Sequence, residues 1–241
     1  MVTSRQRIEQ QPGFVLHTHA WRETSLIVEV FSRDHGRLAL VAKGARRPQS
    51  ALRGVLMAFQ PLLVDWSGGG EVKTLARAEW CGGQPLLGGR ALMCGYYLNE
   101  LLVKLTARED PHPALHAAYA AAIAALGRGV APAPVLRGFE LELLRELGYG
   151  VNLDSEGESG EAVQPGADYV YIIERGPLRV AGDAGDLPSI SGRSLLEMAR
   201  GDFSRAETLA QSKELLRMLI NHYLGGQTLQ SRRVLTELQE L

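Results

Sequence analysis

The chain has 241 residues, 45% of them hydrophobic and 22% charged, with a net charge of −1. That length can bury a sizeable core in one or two domains, and the composition excludes a disordered, collagen-like or disulfide-stapled chain. Residues 1–80 carry 11 Lys and Arg against 7 Asp and Glu, while the remainder is acidic on balance, so two surfaces with different partners are expected.

Residues 1–12 are polar and read as an N-terminal tail, without the apolar core of a signal peptide. No run approaches the ~18 apolar residues of a membrane span, so a cytoplasmic protein is expected. From Phe14 to Trp80 the pattern is one of short strands. Phe14–Trp21 is the first and Thr24–Ser32, dense in β-branched and apolar residues, the second. Asp34-His35-Gly36 turns the chain into a third, where Leu38, Leu40 and Ala42 alternate with Ala39, Val41 and Lys43. Ala58–Trp66 is the fourth, with Pro61 marking an edge or bulge. Val72–Trp80 is the fifth. Five short strands with one long irregular connection, between the third and fourth, fit a small closed barrel. An oligonucleotide-binding (OB) barrel and an SH3-like barrel both satisfy that spacing.

Beyond Gly89 the period becomes helical. Ala91–Leu105, Pro113–Leu126 and Val135–Leu147 are expected helices, the last closed by Gly148. Residues 152–189 lose that period and begin with a polar, acidic stretch. Within them, Tyr169–Ile173 and Pro177–Val180 can form a minimal hairpin. Ser191 can cap a short helix through Arg200. A longer helix, capped by Asp202 or Ser204, runs to Leu224, and a last one starts near Ser231. The fold class is therefore α+β: a five-stranded N-terminal barrel at 13–82 and a helical domain at 83–241 with a small irregular or β insert.

Candidate chemistry concentrates between Gly36 and Gly54. Arg37, Lys43, Arg46, Arg47 and Arg53 lie there, and no Asp or Glu occurs between Asp34 and Asp65. A basic loop leaving a strand without counter-ions is suited to an external anion, and nucleic-acid phosphate is the first candidate. With Arg22, Lys73 and Arg77 added, eight cations line the expected interface, and Trp21, Phe31, Trp66 and Trp80 are candidate stacking rings. Few side chains there suit base-edge reading, so backbone-directed binding is expected. If about five cations neutralise phosphates, the log–log salt slope on single strands is roughly −3 to −4. On the third helix Arg137, Leu141 and Arg145 share a face. Such a row can hold an acidic peptide with an apolar tip, although the residues alone favour an ordinary helix face with one leucine turned inward.

No catalytic signature is present: GxxxxGK[ST], GxSxG, HExxH and GxGxxG after a strand are all missing. Cys81 and Cys94 are the only cysteines and form no CxxC pair. His17 and His19 share a strand face, but no third ligand accompanies them, so no metal or cofactor is expected. A binding protein is favoured over an enzyme. A nuclease would need clustered carboxylates, and the basic half offers only dispersed ones.

One set of motifs runs in order along nearly the whole chain: Phe14-Val15-Leu16-His17, Arg22-Glu23-Thr24-Ser25-Leu26, Gly36-Arg37-Leu38, Leu40 through Arg46, and Gly70 through Leu75. It continues through Tyr97-Leu98-Asn99-Glu100-Leu101-Leu102, Arg137 with Phe139-Glu140-Leu141, and Leu147-Gly148-Tyr149-Gly150. Ser191-Gly192-Arg193, Tyr223-Leu224-Gly225-Gly226 and Ser231-Arg232 complete it. On these residues the chain resembles the bacterial RecO family of recombination mediators. The resemblance implies an OB barrel followed by a helical domain. It implies binding of single- and double-stranded DNA, annealing of complementary strands and, with RecR, help in loading RecA onto DNA coated by single-strand-binding protein (SSB). It places the SSB C-terminal tail at Arg137, Leu141 and Arg145, DNA at the basic residues from Arg37 to Arg53, and the protein in the cytoplasm at the nucleoid. An adaptor with weak DNA binding of its own is the alternative. Many family members hold zinc through four cysteines in the segment matching about 152–180. Ser155, Glu156, Glu158 and Ser159 stand at its start here, so no structural zinc is expected and the insert should be the least ordered part of the chain.

Overall fold

The computed structural model describes residues 7–180 and 188–239. Strands β1 (Arg7–Trp21), β2 (Ser25–Ser32), β3 (Gly36–Ala42), β4 (Pro61–Ser67) and β5 (Val72–Trp80) close a barrel in the order β1-β2-β3-β5-β4. All neighbours pair antiparallel except β3 with β5, which run parallel through Ala39–Val72, Leu40–Lys73 and Val41–Thr74. A short helix, α1 (Leu52–Val55), lies in the β3–β4 connection. This Greek-key closure is the OB barrel, which resolves the choice that spacing left open.

Closure depends on the length of β1. It starts at Arg7, inside the stretch expected as a tail, and Arg7–Phe14 pairs with β4 while Gly13–Trp21 pairs with β2. Polar residues hide this strand in the sequence. Its bond to the barrel is partly electrostatic: Gln10, at a φ of 55°, donates its backbone N–H to the buried Asp65 carboxylate at 2.7 Å. Pro61 opens β4, where its missing N–H is tolerated.

The inward rows are Val28 and Val30 from β2, Leu38, Leu40 and Ala42 from β3, and Leu62, Val64 and Trp66 from β4, all at most 2% exposed. Each such aliphatic contributes about 1.5–3 kcal/mol by leaving water. A bulge between Val15 and His17 lets Val15 enter the barrel while Phe14 and Leu16 are also buried.

Helices α2 (Gly89–Leu105) and α3 (Pro113–Gly127) belong to the same compact unit as the barrel. Asn99 Nδ2 donates to the Leu16 carbonyl at 2.8 Å, and the Tyr119 hydroxyl donates to Asn99 Oδ1 at 2.6 Å. Helix α7 (Gln230–Gln239) joins this unit too. The Glu100 carboxylate accepts from the backbone N–H groups of Gln230 and Ser231, both at 2.9 Å, and so caps α7. Gly36 shows how closely the segment after α2 approaches. Its φ is +65°, and a Cβ there would sit 2.1 Å from the Asp110 carbonyl oxygen. Gly36→Ala is expected to destabilise this unit by about 2 kcal/mol, measured by urea unfolding.

The second unit spans Ala131–Thr228. Helix α4 (Pro132–Glu146) packs against α6 (Ala206–Tyr223), which also packs against α5 (Gly192–Ala199). Ser191 caps α5 as expected, its hydroxyl accepting from the Ser194 N–H at 3.2 Å. A three-stranded sheet combines the expected hairpin, β6 (Asp168–Ile172) and β7 (Gly176–Arg179), with β8 (Ser189–Ser191). The acidic stretch before it is built rather than loose: Leu153 and Val163 are 2% and 3% exposed. The Glu156 N–H donates to the Glu161 carbonyl at 2.7 Å, and Ser155 and Ala162 form a bridge. Two apolar anchors and a backbone bridge thus tie this stretch to its neighbours. Residues 181–187 lie outside the described residues.

Candidate nucleic-acid interface

The β3–β4 connection is anchored from beneath. Ala45 and Leu56 enter the barrel core, and Leu52 and Val55 of α1 pack against it. Gly44, at a φ of +69°, breaks β3 so that Ala45 can turn inward while Arg46 and Arg47 turn out. The Arg46 N–H donates to the Thr24 carbonyl at 2.8 Å, and Arg46 Nη1 donates to the Arg22 carbonyl at 3.2 Å. These bonds tie the loop to the β1–β2 turn and bring Arg22 beside it.

Arg22, Lys43, Arg46, Arg47 and Arg53 are all exposed, and among the described residues none makes an ion pair. Two open grooves flank the loop. One, of about 640 Å³, is lined by Lys43, Gly44, Arg47, Pro48, Gln49 and Ser50. The other, of about 390 Å³, is lined by Thr18, Leu26, Ala45, Arg46, Leu52, Arg53 and Leu56. The arrangement can hold a polyanion against a rigid support.

Three other expected cations are spent internally. Arg37 is turned inward: Nη1 lies 3.4 Å from the Glu29 carboxylate, and Nη2 donates to the Thr106 carbonyl at 2.9 Å. Burial pulls its pKa below the ordinary arginine value, against the support of Glu29. Arg108 also meets Glu29, so one buried carboxylate holds two guanidinium groups. Lys73 is 9% exposed and donates to the Gly70 carbonyl at 3.2 Å while pairing with Glu109 at 2.5 Å. Arg77 is exposed but pairs with Glu79. Glu29 was the legible signal, since a lone acid in an apolar strand sits diagonally from Arg37 across the hairpin. Glu109 carried none, being far away in sequence.

Of the candidate rings, Phe31 and Trp66 are core residues at 0% and 2% exposure, whereas Trp21 and Trp80 are 44% and 58% exposed. Trp21 adjoins Arg22 at the β1–β2 turn. Among the described residues no group of three or more His, Cys, Asp or Glu is placed to hold a metal ion. None of the described helices is long and apolar enough to cross a membrane.

The family models for the Recombination protein O N terminal and C terminal match residues 7–84 and 88–233. The chain belongs to the RecO family of DNA repair proteins. It is 75% identical over 240 residues to the DNA repair protein RecO of Aromatoleum aromaticum, covering 100% of both chains. Its identity to the protein of the same name from an Azoarcus species is 73% over 240 residues, covering 98% of this chain and 99% of that one. The Ralstonia nicotianae protein of that name is 54% identical over 236 residues, covering 98% and 86%.

The helix row expected to bind a partner is differently disposed in this RecO chain. Arg137 is 9% exposed and Leu141 is 2% exposed. Arg137 Nη2 donates to the buried Glu140 carboxylate at 2.6 Å, one turn along α4, and its Nε is buried without a hydrogen-bond partner. Arg145 is exposed, with Nη2 donating to the Ala199 carbonyl at 3.3 Å. The row is therefore not an open Arg-Leu-Arg face, because Arg137 and Leu141 lie on the buried side of α4 and leave only its end, Arg145, in solvent.

Proposed function

We propose that this RecO chain is a non-enzymatic mediator that binds single- and double-stranded DNA through the β3–β4 loop and the β1–β2 turn. The observation that carries the reading is the group of five exposed, unpaired cations anchored on an OB barrel. Held on a rigid support, they meet the phosphate backbone without reading sequence. Two strands held at one basic surface are brought together at high local concentration, which supports annealing without ATP. The family's wider role follows on the same footing: with RecR, the chain helps RecA load onto SSB-coated DNA, in the cytoplasm at the nucleoid. Contact with the acidic SSB tail rests on Arg145, the open end of the α4 row.

Fluorescence anisotropy of a labelled oligonucleotide at several salt concentrations tests the DNA reading. With five phosphates neutralised, the log–log slope on single strands is expected near −3.5, about −0.7 for each contact. Salt-independent binding, or none, would leave the adaptor role as the better account.

A further inference from the structure

We infer that the mouth of the barrel opposite the loop cations is a small-molecule site, and that its ligand is an organic monoanion with one carboxylate on a compact apolar body.

The site is a cavity of about 310 Å³ with an apolar lining of Ile8, Leu38, Trp66 and Pro111. Ile8 pairs with Trp66 across β1 and β4, and Leu38 and Trp66 are both 2% exposed, so the floor is part of the barrel core. The His35 ring meets Trp66 edge to face, with centroids 5.2 Å apart. Barrel mouths of this size, apolar with a few polar groups, commonly hold small ligands. His35 precedes β3 and Lys43 follows it. The length of that strand, about 20 Å, separates this mouth from the loop cations.

Asp34, His35, Lys73 and Glu109 also line the cavity, and what each already holds selects the charge of the ligand. Both acids are engaged. Asp34 accepts from Arg33 Nε and Nη2, each at 2.9 Å, and the Arg33 hydrogen bond holds its carboxyl below the ordinary carboxylate range. Glu109 accepts from Lys73 Nζ at 2.5 Å. The donors have capacity left. Lys73 is 9% exposed, and among the described residues its ammonium meets two acceptors, Glu109 and the Gly70 carbonyl, with three N–H groups to give. His35 is half-buried and has no hydrogen-bond partner among the described residues. Spare donors above an apolar floor call for an acceptor. A carboxylate can take Lys73 and His35 at its two oxygens while its hydrocarbon part lies on Ile8 and Trp66. A second negative charge would face Asp34 and Glu109 across the cavity, so one charge fits best.

Glu109 stands at the rim with a φ of 59°, a costly conformation for a residue with a side chain, and its N–H donates to the Arg37 carbonyl at 3.0 Å. The fold sustains this strain where the counter-ion of Lys73 is held, and where a ligand carboxylate would share the ammonium.

Benzoate is the probe, benzamide its uncharged isostere and benzylamine its cationic counterpart, each titrated into the 241-residue chain by saturation-transfer NMR. Benzoate is expected to bind with a Kd of about 1 mM, benzamide about tenfold more weakly and benzylamine not at all. Lys73→Gln and His35→Ala should each weaken benzoate about tenfold. Arg46→Glu/Arg47→Glu, at the other end of β3, should leave its binding unchanged. Circular dichroism checks that each variant is folded, and His35→Ala carries the test if Lys73→Gln is not. Absence of benzoate binding, equal binding of benzoate and benzamide, or full benzoate affinity in the folded pocket variants would overturn the assignment. Loss of benzoate binding in the loop variant alone would place the anion on the loop and overturn it as well.

Discussion

Reversing two charges, Arg46→Glu/Arg47→Glu, is expected to lower affinity for single-stranded DNA by roughly 100-fold or more at fixed salt. Each guanidinium contributes a charge-assisted contact of about 1.5–3 kcal/mol when it meets a phosphate, and each 1.4 kcal/mol is a factor of ten. The salt slope should also become shallower by about 1.4, because two neutralised phosphates are lost. The fold should survive the change. Both side chains are exposed, and the loop is held by Ala45, Leu52 and Leu56 rather than by its arginines. Anisotropy titrations and circular dichroism of the same preparations separate lost binding from lost structure. Unchanged affinity would move the interface off this loop.

The second large effect concerns acid stability. His116 of α3 is 8% exposed and sits between the rings of Phe14 and Phe31, at centroid distances of 5.4 and 5.5 Å. Its Nε2 is buried without a hydrogen-bond partner. Burial, helped by Arg33 and opposed by Asp34, pushes its pKa down to about 4. The unfolded chain, with an ordinary histidine near 6.5, therefore binds more protons than the folded chain between those values. The stability contributed by neutral His116 is complete above about pH 6.5. It falls as the pH drops through that window, by about 3 kcal/mol at the lower end. All three tryptophans belong to the barrel, so their fluorescence reports unfolding of this unit. Urea midpoints should fall steeply from pH 7 to pH 4.5 in the wild type and much less in His116→Leu. Equal slopes in the two proteins would show that the histidine is not the group titrating.

The strands from Phe14 to Trp80 were legible because alternating apolar residues and glycine turns impose a period of two. The start of β1 was not, because Arg7–Gln11 is held by backbone pairing with β4 and by the Asp65 carboxylate rather than by an apolar face. Likewise, the extent of the first unit depends on Asn99, Tyr119 and Glu100, polar residues whose partners are remote in sequence. Loop cations were legible as a run without acids. Which of them stay free was not, since Arg37 and Lys73 are claimed by Glu29 and Glu109. In α4 the four-residue spacing put Arg137, Leu141 and Arg145 on one side. Spacing does not say how much of that side faces the core, and the burial of Glu140 beside Arg137 carries no pattern of its own.

The most direct test of the DNA interface is photo-crosslinking of the 241-residue chain to a single-stranded oligonucleotide containing 4-thiothymidine, with the attached peptides mapped by mass spectrometry. Crosslinks are expected in the β1–β2 turn around Trp21 and Arg22 and in the loop from Lys43 to Leu56, and they should diminish as salt is raised. Crosslinks confined to Ala131–Thr228 would contradict the barrel interface and assign DNA to the helical unit.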